Sequence, residues 1–164
     1  MHELSLEELI ISFDSLLRLL AATVCGALIG WNRERLDKPA GLRTHMLVCL
    51  GSATFIVGGL DYMDSVPTDP PQWFKVDLFR IVAGIVGGIG FLGAASIMQS
   101  RGEVSGLTTA ASIWVSAAVG TACGMGFIGL ALASIILAVA TLSGVAALER
   151  RFFPQSEARR KDRE

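Results

Sequence analysis

The segment from Asp77 to Met98, DLFRIVAGIVGGIGFLGAASIM, constrains this chain more than any other. Between Leu78 and Met98 its one charge is Arg80, and glycines stand at positions 84, 87, 88, 90 and 93. As a helix the segment would rise about 31 Å at ~1.5 Å per residue, the thickness of a bilayer's hydrocarbon core. In water it would be a poor helix, because each interior Gly costs ~1 kcal/mol relative to Ala. In lipid the same glycines let a neighbouring backbone come close. The segment therefore predicts a central transmembrane helix, and the fold class expected is an all-α, polytopic membrane bundle.

Composition agrees. The 164 residues are 52% hydrophobic and only 18% charged, whereas soluble domains carry nearer ~25% charge. Cys25, Cys49 and Cys123 lie in or at the end of apolar runs, without CxxC spacing. Their odd number argues against a disulfide framework and a zinc site, and they read as small buried hydrophobes. The chain has two histidines, little material for histidine-centred chemistry. Its start, MHELSLEELIISFDS, is acidic and lacks the basic opening of a secretory signal, so the first apolar run is expected to remain as a membrane helix.

Residues 1–15 read as an outer interfacial helix start, with a Ser5-Leu-Glu-Glu8 capping box. Five spans are expected within a membrane domain over 16–148, at about 16–31, 42–60, 78–98, 107–123 and 127–148. Asp14 and Arg18 have the i,i+4 spacing of a helical ion pair. Ala22, Gly26 and Gly30 form a small-residue stripe down the first span. Pro39 and Gly41 break the polar loop that follows it. Residues 61–75 form a loop with three acids and three prolines, ending in the interfacial pair Trp73-Phe74. Residues 99–106 read as a linker, and 149–164 as a basic tail. The first loop, the third loop and the tail hold 11 of the 14 basic residues. The positive-inside rule then places these on the cytoplasmic side and the N-terminus outside.

Gly88-Ile-Gly-Phe-Leu-Gly93 has the GxGxxG form of a dinucleotide site. That motif needs a preceding strand and an acid ~20 residues on, but it falls mid-span here and Glu103 is ten residues away. Helix packing is the better reading, with Gly84, Gly87, Gly88, Gly90 and Gly93 as close-contact positions and Gly106 heading the fourth span. No Walker A sequence, nucleophile elbow, HExxH or paired-carboxylate spacing occurs. No enzymatic activity, cofactor, bound metal or nucleic-acid partner is therefore expected. The candidate functional polar residues fall in three groups. Asp77 and Arg80, with Asp14 and Arg18, would sit at the outer mouth. Arg33, Glu34, Arg43 and Thr44, with His45, flank the first loop, where basic residues also attract anionic membrane lipids. Thr108 and Thr109, with Ser112 and Ser116, line one side of the fourth span.

Several of these stretches, in order and at matching spacing, resemble the MgtC/SapB membrane-protein family. They are Arg33-Glu34, Ala40-Gly-Leu-Arg-Thr44, Asp77-x-x-Arg80, Gly88-Ile-Gly-Phe-Leu-Gly-Ala94, and Gly106-Leu-Thr-Thr-Ala-Ala111 with Trp114. The resemblance covers roughly residues 15–145 and implies a bacterial inner-membrane protein linked to growth in low magnesium and, in pathogens, to virulence. It implies action on other membrane machinery, notably the F-type ATP synthase. Gly84 and Gly87 stand where the family commonly has polar side chains, and Ser105 where an Arg is usual. The chain is expected to carry the membrane domain without the family's soluble C-terminal domain. Two functions follow as expectations. The first is a non-enzymatic regulator that binds itself, as a dimer, or a membrane ATPase or transporter. The alternative is a transporter or channel subunit for Mg2+, another cation or a small solute.

Overall fold

The computed structural model describes residues 12–66, 77–100, 103–145 and 152. Of the loop expected at 61–75, residues 61–65 are helical instead; the capping box at 5–8, the rest of that loop from residue 67 with its aromatic pair, Arg101 and the basic tail apart from Phe152 lie outside these residues. Among the described residues the protein is a helical bundle with one small hairpin.

Helix α1 runs from Phe13 to Glu34, and its start is fixed by Ser12, whose side chain accepts a hydrogen bond from the Ser15 amide. A turn follows in which Asp37 takes a positive φ of 51°. Helix α2, Leu42–Ser65, begins after Pro39 and Gly41. Helix α3, Leu78–Ala95, is capped by the Asp77 side chain, which accepts from the Phe79 amide at 2.9 Å. It ends at Ser96, whose hydroxyl turns back to the Gly93 carbonyl at 2.7 Å. The expected helix to Met98 and the expected linker are replaced by an antiparallel hairpin. Strand β1, Met98–Ser100, pairs with β2, Glu103–Ser105, with Gln99 opposite Val104. Gly106, at φ +86°, then launches helix α4, Leu107–Gly124. Gly126, at φ +83°, turns the chain into helix α5, Ile128–Ala140, which passes into a π-helical turn at Thr141–Val145. Helices α1 to α4 are long and apolar enough to cross a membrane.

Helices α1, α2 and α4 form the inner set, with α5 against α4 and α1, and α3 outside on α4 and α2. Their shared core holds Ala22, Cys25, Ile29, Cys49, Ala53, Val119, Ala122 and Cys123, joined by Ala131 and Ile135 of α5. The three cysteines are free and buried, packed as small apolar groups.

Within the inner set, backbones come close at Gly26, Gly30, Gly120 and Gly124. A Cβ on Gly26 would lie 2.5 Å from the His45 carbonyl oxygen, and one on Gly30 would lie 2.7 Å from Leu42 Cα. A Cβ on Gly120 would collide with the Cys49 backbone, and one on Gly124 would lie 2.8 Å from Ile56 Cβ. The glycines of α3 do not take this role within the chain. A Cβ at Gly84, Gly87, Gly88 or Gly90 would meet nothing within 4 Å, and Gly93 makes only ordinary contact with Ala110, 3.7 Å away. Helix α3 is the most apolar of the four long helices and the least buried, and Gly84, Gly87, Gly88 and Gly90 are exposed while Gly93 is buried. Gly106 is likewise no helix-packing glycine. It supplies a left-handed turn pressed against the Ser96 carbonyl, a place where a side chain would collide.

Candidate functional site

The end of the bundle where α1 finishes and α2 and α4 begin concentrates its buried polarity. Arg33, in the last turn of α1, is 3% exposed and donates from Nη2 to Thr109 Oγ1 at 2.8 Å. Thr109 lies in the first turn of α4, whose periodicity then places Ser112 and Ser116 on the same inward face. All three are buried. Ser112 Oγ donates to the Thr109 carbonyl at 2.8 Å, and Ser116 Oγ donates to the Ser112 carbonyl at 3.0 Å. Opposite them on α2, His45 is fully buried. Its Nδ1 lies 2.7 Å from the Gly41 carbonyl, and its Nε2 lies 3.1 Å from Ser112 Oγ. A carbonyl only accepts, so Nδ1 carries a proton; Ser112 has one proton to divide between Nε2 and the Thr109 carbonyl. Cys49 extends the row by donating to the Ser116 carbonyl at 3.0 Å.

Two further contacts close this end. Glu34 Oε2 accepts from the Leu42 amide at 2.8 Å, so the end of α1 caps the start of α2. A Cβ on the adjacent Gly41 would overlap the Glu34 carboxylate, so a side chain there would displace this cap. Asn32 Nδ2 donates to Ser143 Oγ at 2.6 Å, tying α1 to the π turn. Asn32 Oδ1 and Arg33 Nε are buried without a hydrogen-bond partner. Among the described residues no carboxylate pairs with Arg33, and the buried polar side chains are Ser, Thr, His and Arg. No described group of three or more His, Cys, Asp or Glu residues could hold a metal ion.

The remaining candidates are distributed differently. Thr108 is exposed and points away from the row that Thr109 joins, one helical step of about 100° being enough to separate them. Arg43 is exposed and Thr44 half-buried, and neither enters the network. At the other end, Asp14 and Arg18 form the expected pair at 2.7 Å, and Arg18 also donates to the Gly124 carbonyl at 3.1 Å. Asp77 caps α3, while Arg80 is exposed and no ion pair joins the two. The four charged residues are therefore not gathered into one cluster by any bond between the pairs. The outward face of α3 instead borders an apolar groove of about 690 Å³ against α2, lined by Leu47, Gly51, Phe55, Gly84, Gly88 and Leu92 among others.

The sequence reading set His45 beside Arg43 and Thr44 at the first loop without giving it a site role, and passed over Asn32 and Ser143. His45 carried a usable signal, since an ionisable side chain within a membrane span marks a functional position by default. Asn32 and Ser143 carried none, because their meeting depends on how α5 leans on α1.

The chain was compared with known proteins. The MgtC family model matches residues 19–151. Protein MgtC of Salmonella typhimurium is 46% identical over 132 residues, covering 80% of this chain and 52% of the relative. Protein SrpB of Synechococcus elongatus is 42% identical over 143 residues, covering 81% of this chain and 75% of the relative. The "Putative magnesium transporter YhiD" of Escherichia coli is 42% identical over 125 residues, covering 76% and 56%. The chain thus spans about half the length of the MgtC relatives it matches. No solved structure matches it. With the family's motifs in order along four long apolar helices, this chain belongs to the MgtC family and is a multi-pass inner-membrane protein.

Proposed function

We propose that this protein is a non-enzymatic membrane regulator acting in magnesium-related adaptation, and that it works by docking a transmembrane helix of another membrane protein. The outward glycine face of α3 carries the reading. Gly84, Gly87, Gly88 and Gly90 have no neighbour within 4 Å of a built Cβ, although glycine in a helix costs ~1 kcal/mol per residue against Ala. A partner helix can approach such a face to backbone distance. The adjoining groove between α2 and α3 is apolar and suits side chains from that partner. A membrane ATPase or transporter is the partner class proposed, with a second copy of this chain as another outcome. In the proposed orientation the first loop, with Arg35, Lys38 and Arg43, faces the cytoplasm.

The name of the Escherichia coli relative favours a second reading, transport of a cation. The buried polar row runs from Arg33 to Ser116 without an acid among the described residues, whereas cation paths are normally lined by acids or carbonyl rings. This weighs for the regulator. Reconstitution in liposomes with measurement of magnesium, proton and potassium flux separates the two. The regulator reading expects no flux, and co-purification of a membrane ATPase or transporter that is lost in Gly84→Leu/Gly88→Leu. Flux in the wild type that disappears in Asp77→Asn would overturn it.

A further inference from the structure

We propose that the end of the bundle around Arg33 binds a phosphate-type oxyanion. The site is built from the guanidinium of Arg33 and the first-turn amides of α4, and it is independent of the partner that α3 docks. Arg33 is buried and has no carboxylate partner among the described residues. Its Nη2 is fastened to Thr109 Oγ1 at 2.8 Å, while its Nε is buried without a hydrogen bond. The fastening holds a full positive charge at the first turn of α4. That turn is itself the positive end of an 18-residue helix, and its Gly106 cap supplies no side-chain acceptor. Two positive groups thus lie at the same turn of α4, and among the described residues no carboxylate is paired with Arg33. The negative end of α1, where Arg33 sits, offsets part of this charge, but a helix terminus carries only about half an elementary charge.

An oxyanion resolves the arrangement. A guanidinium recognises a tetrahedral or planar oxyanion through two adjacent donors, and Nε is the donor left over here. Free amides at a helix N-terminus accept the same kind of ligand. The proposed approach is from the α4 side, where Leu107 and Thr108 are exposed. Among the described residues, the neighbouring loop and the helix ends beside it add the exposed cations Arg35, Lys38 and Arg43 against the acids Glu34 and Asp37, a balance that favours an approaching anion. The phosphate group of an anionic lipid and free inorganic phosphate share this chemistry.

The test uses the full chain, stripped of lipid in detergent. Thermal melting is followed with inorganic phosphate and with chloride at equal ionic strength. In parallel, the protein is recovered from vesicles of phosphatidylcholine alone or mixed with phosphatidylglycerol, and retained lipid is counted by native mass spectrometry. A free-anion site gives a saturable, phosphate-specific rise in melting temperature. A headgroup site gives no such rise, but retains one phosphatidylglycerol per chain. In either arm Arg33→Gln weakens binding by about tenfold or more, the scale of a lost charge-assisted contact, while Arg80→Gln, at the other end of the bundle, leaves it unchanged. If Arg33→Gln does not fold, Thr109→Val keeps the guanidinium but releases it, and is expected to weaken binding severalfold. Absence of both signals in the wild type overturns the proposal, with buried water then satisfying Nε. Equal binding by wild type and Arg33→Gln, or by wild type and Thr109→Val where Arg33→Gln does not fold, overturns it as well.

Discussion

A single methyl group distinguishes the two kinds of glycine in this chain. At Gly120 a Cβ would strike the Cys49 backbone, so Gly120→Ala must push α4 from α2. We expect it to destabilise the fold by about 1–3 kcal/mol, the usual cost of overpacking, read as a lowered melting temperature in detergent. At Gly87 the same methyl meets open space. Gly87→Ala should be neutral or stabilising by up to ~1 kcal/mol in the isolated protein. Asp77 separates capping from charge in the same way. Asp77→Ala removes the acceptor of the Phe79 amide and should cost about 1 kcal/mol, whereas Asp77→Asn keeps a cap of equal quality. Thermal unfolding of the pair checks this. The Asp14–Arg18 pair was readable from spacing alone, because its partners lie within one helical turn. The bond from Arg33 to Thr109 was not, since 76 residues separate its ends.

Among the elements, α3 repays attention because its composition and its place disagree. It is the most apolar of the long helices, yet it lies at the edge of the bundle, in contact with α4 and α2. Its glycines read in sequence as close-contact positions. The close contacts belong instead to Gly26 and Gly30 of α1 and Gly120 and Gly124 of α4. Sequence gives the stripe but not the azimuth: a small-residue row states that something can approach, and not whether it is the same chain. Bulky substitution is the corresponding experiment. Gly84→Leu/Gly88→Leu should leave the stability within about 1 kcal/mol of wild type, because a Cβ at either position has open space around it and the side chains have the groove beside α2 to enter. The same variant should lose a co-purifying membrane partner. A large loss of stability instead would place those glycines inside the fold. The hairpin from Met98 to Ser105 is a smaller lesson of the same kind, since three-residue strands leave too short a pattern to read.

The whole molecule has two polar ends of different character. One carries exposed charge with the Asp14–Arg18 pair and the Asp77 cap. The other buries Arg33 and His45 beneath a basic loop. Orientation is tested by placing single cysteines at Lys38 and Ser65 and labelling intact cells with a membrane-impermeant maleimide. Native Cys25, Cys49 and Cys123 are buried and should stay silent. We expect Ser65→Cys to label from outside and Lys38→Cys only after the membrane is opened; the reverse would invert the topology. The sequence by itself determined that this chain lives in a membrane as a helical bundle, because hydropathy, span length and backbone hydrogen-bonding demands act locally along the chain. It also carried the family, through motifs a few residues long. Only the tertiary structure decided which small residues close the core, which face of α3 is left open, and that Arg33 and His45 converge on α4. Those outcomes depend on helix rotation and packing partners, which no local pattern encodes.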